Sequence, residues 1–464
     1  MRRTAAVVAA RTAAGLSRRF RAGGGTAFPG LIAERIDPGI VRDLASKLGA
    51  GSVLVTGTNG KTTTTRLLRS VVQAAGLRTV ANREGSNMMR GVAAALAEAS
   101  TWDGRLRQAR KAIGVFEVDE ATMPLVADAV RPRAVVFTNL FRDQLDRYGE
   151  VETVAGVWRR AISGFPPGVT LALNADDPSV ASLREGARGP VITFGLDDTS
   201  LAAGEIEHAA DARWCPKCGA ELEYDAVFYG HIGHWRCPAK DNARPNPEVA
   251  CTSAATTDAG LDLAVRTPSG AIDVRLPLTG TYNVYNALAA AAAGVALGVE
   301  PAAIERGLAS AGAAFGRQER FEIDGRTVHV LLAKNPAGAN QSIRTIIASG
   351  EPFGLVALLN DNIADGRDIS WIWDVDFELL AGHLRSLTVS GVRAWDMALR
   401  LKYAGLGERP DVEHDTARAL RSAIRRAPAG GSVYVLPTYT AMLEARNILG
   451  RWAGRGAFWE ADGR

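Results

Sequence analysis

Eight consecutive residues carry the clearest chemistry in the chain: Thr56, Gly57, Thr58, Asn59, Gly60, Lys61, Thr62 and Thr63. Small residues here let backbone N–H groups and a helix N-terminus approach an anion. Lys61 supplies a point charge for the β- and γ-phosphates of a nucleotide, and the Thr62 hydroxyl is placed to ligate Mg²⁺. Glycine-rich turns between a strand and a helix are common, so Gly57 and Gly60 alone would signify little. With Lys61 and Thr62 following at this spacing, the run from Gly57 to Thr63 reads as an ATP cradle. Val55 stands where the general phosphate loop has its first glycine, so this is a shorter form.

A second group lies in Phe116, Glu117, Val118, Asp119 and Glu120, at the end of an apolar run. A carboxylate at a strand end, in the sheet that carries a phosphate loop, can hold Mg²⁺ directly or through water. Glu117 is the first choice and Glu120 the second; the plainer reading is of solvated loop acids. The next apolar run leads into Asn139, Asp143, Gln144, Asp146, Arg147 and Tyr148, a polar stretch with neither helix nor strand period. A loop that closes over phosphates and a carboxylate substrate needs such donors, although Asp146 and Arg147 also suit an ion-pair turn.

The third group is the cysteines. Cys215 and Cys218 have metal-ligand spacing, and Cys237 and Cys251 are the other two. A zinc ribbon repeats its Cys-x₂-Cys, but Lys240 stands where the second pair ends. That leaves Cys251, His231 or His234 to complete a tetrahedral Zn²⁺ set, or else a degenerate ribbon held by packing.

These groups need a scaffold. From 48 to about 200, apolar runs alternate with helical stretches: Ser52–Val55, Thr79–Asn82, Ile113–Val118, Ala134–Asn139, Thr170–Asn174 and Val191–Gly195. Most are continuous, as in strands buried on both faces of a parallel sheet. The fold class is therefore α/β, doubly wound, with ligands at the carboxyl ends of the strands. Residues 208–254 hold all four cysteines and three of the six histidines (His208, His231 and His234), and read as an insert. A β-like stretch follows at Leu261–Leu276, then an alanine-rich helix, then a linker-like stretch from Ser310 to Arg317. Beyond it a second α/β segment has strands at Val328–Leu332, Leu355–Leu359, Leu387–Val389 and Val433–Leu436. The expected division is a basic lead-in at 1–47, an ATP-binding domain at 48–312 containing the insert, and a C-terminal α/β domain at 313–464.

Composition agrees with a globular chain: 464 residues, 47% apolar and 22% charged. A net charge of +4 does not argue for nucleic acid. The basic bias is local, with Arg2, Arg3, Arg11, Arg18, Arg19 and Arg21 before the first acid, Glu34. That segment suits a basic amphipathic helix touching an anionic membrane or a lipid-linked substrate, or simply a solvated end. It lacks a signal-peptide apolar region, and the Ala-rich Val284–Val299 is too short to span a bilayer comfortably. A cytoplasmic protein is expected, with a peripheral contact at the inner face of the membrane through this segment.

The phosphate loop, the Asn139–Tyr148 loop, Asn174 to Asp177 and Gly280 to Asn286 together resemble the central domain of the Mur ligase family. Later stretches resemble its MurT subgroup: Lys334 to Asn340, Asn360 to Asp374, and Leu436 to Met442. The resemblance covers about residues 24 to 450. It implies a Mur ligase-like central domain with a zinc-ribbon-like insert, followed by a Rossmann-like C-terminal domain. It also implies that Asn283 sits by the nucleotide and that Arg320 and Lys334 contact it. Two departures from amino-acid-adding Mur ligases stand out. Gln144 replaces their metal-binding histidine, and no lysine occurs between Lys111 and Lys217 to be carbamylated for a second Mg²⁺.

The subgroup implies the synthetase half of an amidotransferase. Such proteins convert the α-carboxylate of D-glutamate in lipid II to D-isoglutamine, using ATP and ammonia from a GatD-type class I glutaminase. None of the four cysteines has the Gly-x-Cys-x-Gly setting of such a glutaminase. An aspartate of the Asp361–Asp374 stretch is expected to complete the partner's Cys-His-Asp triad; Asp365 comes first and Asp368 next. Trp371, Trp373 and Arg367 suit an interface there. Rival readings are an amino-acid-adding Mur or folylpolyglutamate-type ligase, a P-loop zinc-ribbon regulator binding nucleic acid, and a scaffold with a dead ATP site. The lysine gap and Gln144 oppose the first, the modest charge the second, and Lys61 with Thr62 the third.

Overall fold

The computed structural model describes residues 2–19, 28–83, 85–143, 151–202, 206, 210–257, 259–311, 317–348, 350–407 and 410–454. The chain divides into two compact units. The first comprises Met1–Leu140, Val151–Gly204 and Ala212–Gly312; the second comprises Phe141–Glu150, Glu205–Asp211 and Ala313–Arg464.

The first unit is built on a nine-stranded sheet. Its parallel part comprises β1 (Ser52–Thr56), β2 (Arg78–Val80), β3 (Ala112–Glu117), β4 (Ala134–Phe137), β5 (Thr170–Asn174) and β6 (Val191–Leu196). The order β6-β5-β4-β1-β3-β2 puts β1 at the centre of these six, between β3 and β4. Every residue of β1, β3 and β4 is buried, as their unbroken apolar runs require for strands covered on both faces. The helix Lys61–Ala74 buries Leu67, Leu68, Val71 and Val72, the apolar spacing expected of a helix covering a sheet. The N-terminal residues form the helices Arg2–Arg19, Phe28–Ile36 and Ile40–Ala45 of this unit.

Two features differ from expectation. The β-like stretch after the insert is a hairpin of β10 (Gly260–Thr267) and β11 (Gly270–Leu276), paired antiparallel beside β9 (Val249–Thr257). β9 in turn pairs parallel with β6, so the last residues assigned to the insert belong to the main sheet. The remainder of the insert carries a separate two-stranded ribbon, β7 (Glu223–Tyr229) with β8 (Ile232–Arg236). Cross-strand pairing, invisible to a single-strand pattern, decided both.

The second unit has a six-stranded sheet in the order β12-β13-β17-β14-β15-β16. The strands are β12 (Arg317–Ile323), β13 (Arg326–Leu331), β14 (Phe353–Leu358), β15 (Leu384–Ser390), β16 (Asp411–Val412) and β17 (Ser432–Pro437). Only the β12–β13 pair is antiparallel. One face packs Phe353, Phe377 and Leu401, and the other packs Phe321, Leu420 and Leu449. Among the described residues no helix is long and apolar enough to cross a membrane.

Candidate active site and metal centre

The turn after β1 is held by its neighbours on β4 and on the alanine-rich helix. Gly57 has φ of +131°, and a Cβ there would lie 2.1 Å from Thr138 Oγ1. Gly60 has φ of +84°, and a Cβ would lie 2.1 Å from Asn286 Oδ1. Both positions therefore demand glycine, for backbone angle and for space. Thr138 Oγ1 donates to Asn59 O at 2.8 Å, and the Asn59 N–H donates to Asn139 Oδ1 at 2.8 Å. The Thr58 N–H also donates to the Asn139 carbonyl at 3.0 Å, so the first half of the loop is pinned from outside and the anion-facing donors belong to the start of the helix.

Lys61 begins the helix and is buried. Its ammonium donates to Gly57 O, to Thr58 O at 3.2 Å and to Glu120 Oε1 at 3.1 Å. Glu117, Asp119 and Glu120 are all buried at the end of β3. The Glu117 backbone is clamped by Asn82, whose Oδ1 accepts from its N–H at 3.0 Å and whose Nδ2 donates to its carbonyl at 2.8 Å. Glu120 thus faces the lysine. Glu117 and the buried Thr62 keep the carboxylate and hydroxyl chemistry that Mg²⁺ takes.

Asn283 lies on the helix Thr281–Ala296 and is buried. It accepts from Asn286 Nδ2 at 2.9 Å, and Asn286 Oδ1 accepts from Thr64 Oγ1 at 3.3 Å. The structure therefore links Asn283 to the phosphate-loop helix through Asn286, a residue not singled out for a role. Its i,i+3 spacing from Asn283 was the available signal. Thr138 and Asn82 were missed too, because nothing local marks a residue that holds another segment's backbone.

Asn174, Asp176 and Asp177 prove architectural. Asp177 caps the helix starting at Pro178 and also accepts from the Leu140 N–H at 2.8 Å. Asp176 accepts from Arg244 Nε at 2.5 Å, Tyr285 Oη at 2.6 Å and the Leu196 N–H at 2.8 Å. Burial raises its pKa against the lowering pull of Arg244.

The insert brings Cys215, Cys218 and Cys237 together, with their sulfurs within 4.8 Å of one another. Cys218 and Cys237 are 3.5 Å apart. Sulfurs around a tetrahedral zinc, at Zn–S of about 2.3 Å, stand about 3.8 Å apart, so the trio fits three zinc positions. Burial raises the Cys215 thiol, but hydrogen bonds from Asn242 and the Lys217 and Cys218 N–H groups bring it down to about 7. Cys251 does not join them. It sits in β9, donates to Ser253 O at 3.2 Å, and burial pushes its pKa up to about 12. The strand pairing that draws β9 into the main sheet takes Cys251 with it. Nor do the histidines join: His234 contacts Leu196 O at 2.7 Å, and His231 lies 3.5 Å from Asp177. Trp235 Nε1 donates to Ala175 O at 3.0 Å and ties the ribbon to β5.

In the second unit, Arg320 pairs with Glu322 at 2.8 Å and Lys334 with Asp143 at 2.5 Å. Asp365 is buried; its carboxylate accepts from the Thr440 N–H at 2.7 Å and from the Thr440 hydroxyl. Asp368 is exposed and accepts from the Ser370 N–H at 2.8 Å. Trp373 is half exposed, tilted against Tyr403 at 5.7 Å. Gln144, Asp146, Arg147, Tyr148 and His208 lie outside the described residues.

Comparison with known proteins agrees with this anatomy. The Mur ligase middle domain matches residues 55–230, and the MurT ligase C-terminal domain matches residues 332–442. The MurT subunit of lipid II isoglutaminyl synthase (glutamine-hydrolyzing) from Streptococcus pneumoniae is 34% identical over 94% of this chain and 95% of its own. That of Staphylococcus aureus is 35% identical over 91% and 93%. The chain belongs to the MurT family.

Solved structures of other ligases share the fold. A pseudomurein peptide ligase type C from Methanothermus fervidus superimposes with a TM-score of 0.67 at 22% identity, covering 88% of this chain and 80% of its own. MurF from Acinetobacter baumannii gives 0.65 at 19% identity, covering 90% and 80%. As a MurT family member the chain is a ligase, and the phosphate loop described above falls within the matched middle domain.

Proposed function

We propose that this chain is the synthetase subunit of a two-chain lipid II isoglutaminyl synthase, which amidates the α-carboxylate of D-glutamate in the stem peptide. The observation that carries the reading is the pinned phosphate loop with buried Lys61 and Glu117, in a chain alike over its length to subunits bearing that name. The carboxylate attacks the γ-phosphorus of ATP, ADP leaves, and an acyl phosphate forms. Ammonia then adds to the acyl carbon, phosphate departs, and a proton is lost to leave the amide.

In this reading the loop from Gly57 to Thr63 holds the phosphates through N–H groups other than those of Thr58 and Asn59, which donate to Asn139, and Lys61 neutralises charge on the transferring group. Thr62 and Glu117 would hold Mg²⁺, which supplies further neutralisation of the phosphates when bound. Asn283 orders the loop through Asn286 and lies beside the nucleotide. Arg320 and Lys334 are assigned nucleotide contacts by the family resemblance. Three thiolates, Cys215, Cys218 and Cys237, would hold Zn²⁺ in a structural site, with Asn242 donating to Cys215 at 3.4 Å.

Ammonia must come from elsewhere. Three cysteines are committed to one cluster, and Cys251 is a buried thiol with a raised pKa, the opposite of an activated nucleophile. A GatD-type class I glutaminase is therefore proposed as the partner. The Asp361–Asp374 loop contributes an aspartate to its histidine: Asp365 is the rigidly held candidate and Asp368 the exposed one. The chain is assigned to the cytoplasm, peripheral at the inner face of the membrane, where the lipid-linked substrate lies. Co-expression with a glutaminase, followed by mass spectrometry of lipid II, tests the reading. Replacement of OH by NH₂, dependent on ATP and glutamine, supports it; lipid II left unchanged by an intact complex refutes it.

A further inference from the structure

We propose that the sheet edge opposite the phosphate loop is a docking surface for an anionic phospholipid membrane. The phosphate loop follows the carboxyl end of β1, whereas Arg110 and Lys111 immediately precede the amino end of β3, and Arg78 opens β2. Arg78, Arg110, Lys111 and Gln108 line a cleft of about 700 Å³, with no carboxylate among its described lining residues. The surface continues beyond that cleft, because the Arg78 guanidinium donates to the Arg107 carbonyl. Arg107 lines a second cleft of about 640 Å³ with Arg11, Leu16 and Trp102. Glu98 is the acid in that second lining, and it faces Arg83 at 3.1 Å.

Charge and exposed apolar area coincide here. Leu16 is 51% exposed and Trp102 54%, both large apolar side chains beside guanidinium groups. A bilayer with anionic headgroups offers a partner for each: headgroup phosphates for Arg78, Arg107, Arg110 and Lys111, and the interfacial zone for Trp102 and Leu16. Nucleic acid fits less well. The guanidinium of Arg11 covers the Trp102 ring at 4.2 Å, occupying a face on which a base would stack. Contact through this edge leaves the phosphate loop, one strand length away, open to ATP and to the stem peptide. The purpose of such docking rests on the lipid-linked substrate proposed above, while the surface stands on its own residues.

The test is sedimentation of the full chain with vesicles of phosphatidylglycerol and phosphatidylcholine, and with phosphatidylcholine alone, lipid II being absent from both. Anionic vesicles should bind at least about tenfold tighter, and the variant Arg78→Gln, Arg107→Gln, Arg110→Gln, Lys111→Gln should lose about tenfold or more of that binding. Trp102→Ser should lose a smaller factor, and the single change Lys111→Glu, at an exposed site, serves if the quadruple variant unfolds. Equal binding to both vesicle types, undiminished binding by the variants, or tighter binding to duplex DNA than to anionic vesicles overturns the proposal. Amidation of a lipid-free stem peptide by the quadruple variant, in complex with its partner, separates the two readings. Retained amidation with lost vesicle binding assigns the edge to the membrane alone, and retained vesicle binding without amidation in the parent chain refutes only the enzymatic reading.

Discussion

Nζ of Lys61 lies 3.1 Å from Oε1 of Glu120, with the two side chains 8% and 5% exposed. The ammonium that would meet ATP phosphate is thus already partnered by a buried carboxylate. Removing one member of such a pair leaves a buried charge behind, at a cost of about 3–5 kcal/mol. Glu120→Gln should therefore destabilise the first unit by about 3 kcal/mol, and much less when made on a Lys61→Met background. Urea unfolding of the four members of this cycle checks it; additive effects would separate the two residues. Glu117→Ala, by contrast, should leave stability nearly unchanged and raise the Mg²⁺ concentration needed for ATP turnover.

Gly57→Ala should remove ATP binding. Its Cβ would meet Thr138 Oγ1 and lie 2.9 Å from the Asn139 carbonyl, at a backbone angle that alanine disfavours. Thr138→Ser retains the donor to Asn59 and should keep binding, whereas Thr138→Val should weaken it about tenfold, by loss of one buried hydrogen bond. Calorimetric titration with ATP measures both.

The zinc trio predicts a gain as well as a loss. Cys215→Ser should lower bound zinc in the purified chain. Lys240→Cys restores the second Cys-x₂-Cys and should make zinc slower to leave in the presence of a chelator. Zinc analysis before and after chelation reports the result; equal retention by Lys240→Cys and the parent would place the fourth position elsewhere.

His329 gives a pH signature. It stacks on Tyr434 at 4.7 Å, and burial, then the Arg320 charge, lowers its pKa from 6.5. Its stability contribution is present above about 6.5, and it is lost as pH falls toward the lowered folded value, because the unfolded chain takes up the proton first. His329→Gln should therefore reduce the drop in melting temperature of the second unit between neutral and mildly acid pH. An unchanged pH profile would remove the histidine from the account.

Asp365→Asn, in complex with the glutaminase, should lower glutamine-driven amidation by about 10²-fold or more while leaving ammonium-driven amidation intact. Loss of both would make Asp365 a folding residue through Thr440. Loss of neither, with Asp368→Asn lowering the glutamine reaction, passes the role to Asp368.

Much of this was legible in the residues. Continuous apolar runs located the parallel strands, since burial on both faces leaves no other pattern, and the Lys61-Thr62 pair marked the loop after β1. Residues acting across the chain were not legible. Thr138 and Asn82 serve backbone carbonyls 79 and 35 positions away, and Asn286 accepts from a threonine hydroxyl 222 positions away. The place of Cys251 depended on β9 pairing with β6. Asp176 and Asp177 stand in a stretch that carries the family resemblance, and only the fold shows that their carboxylates are spent on Arg244, Tyr285 and backbone N–H groups. Sequence spacing shows which groups share one element, whereas tertiary pairing decides which groups meet.

The central claim is that this chain activates a carboxylate with ATP for attack by ammonia. Its most direct test measures phosphate released and amide formed by the assembled complex on lipid II, with ammonium chloride as the nitrogen source. The account predicts equal amounts of phosphate and amide, and loss of both in Lys61→Ala. Amide formed without ATP, or at an undiminished rate in Lys61→Ala, would contradict it.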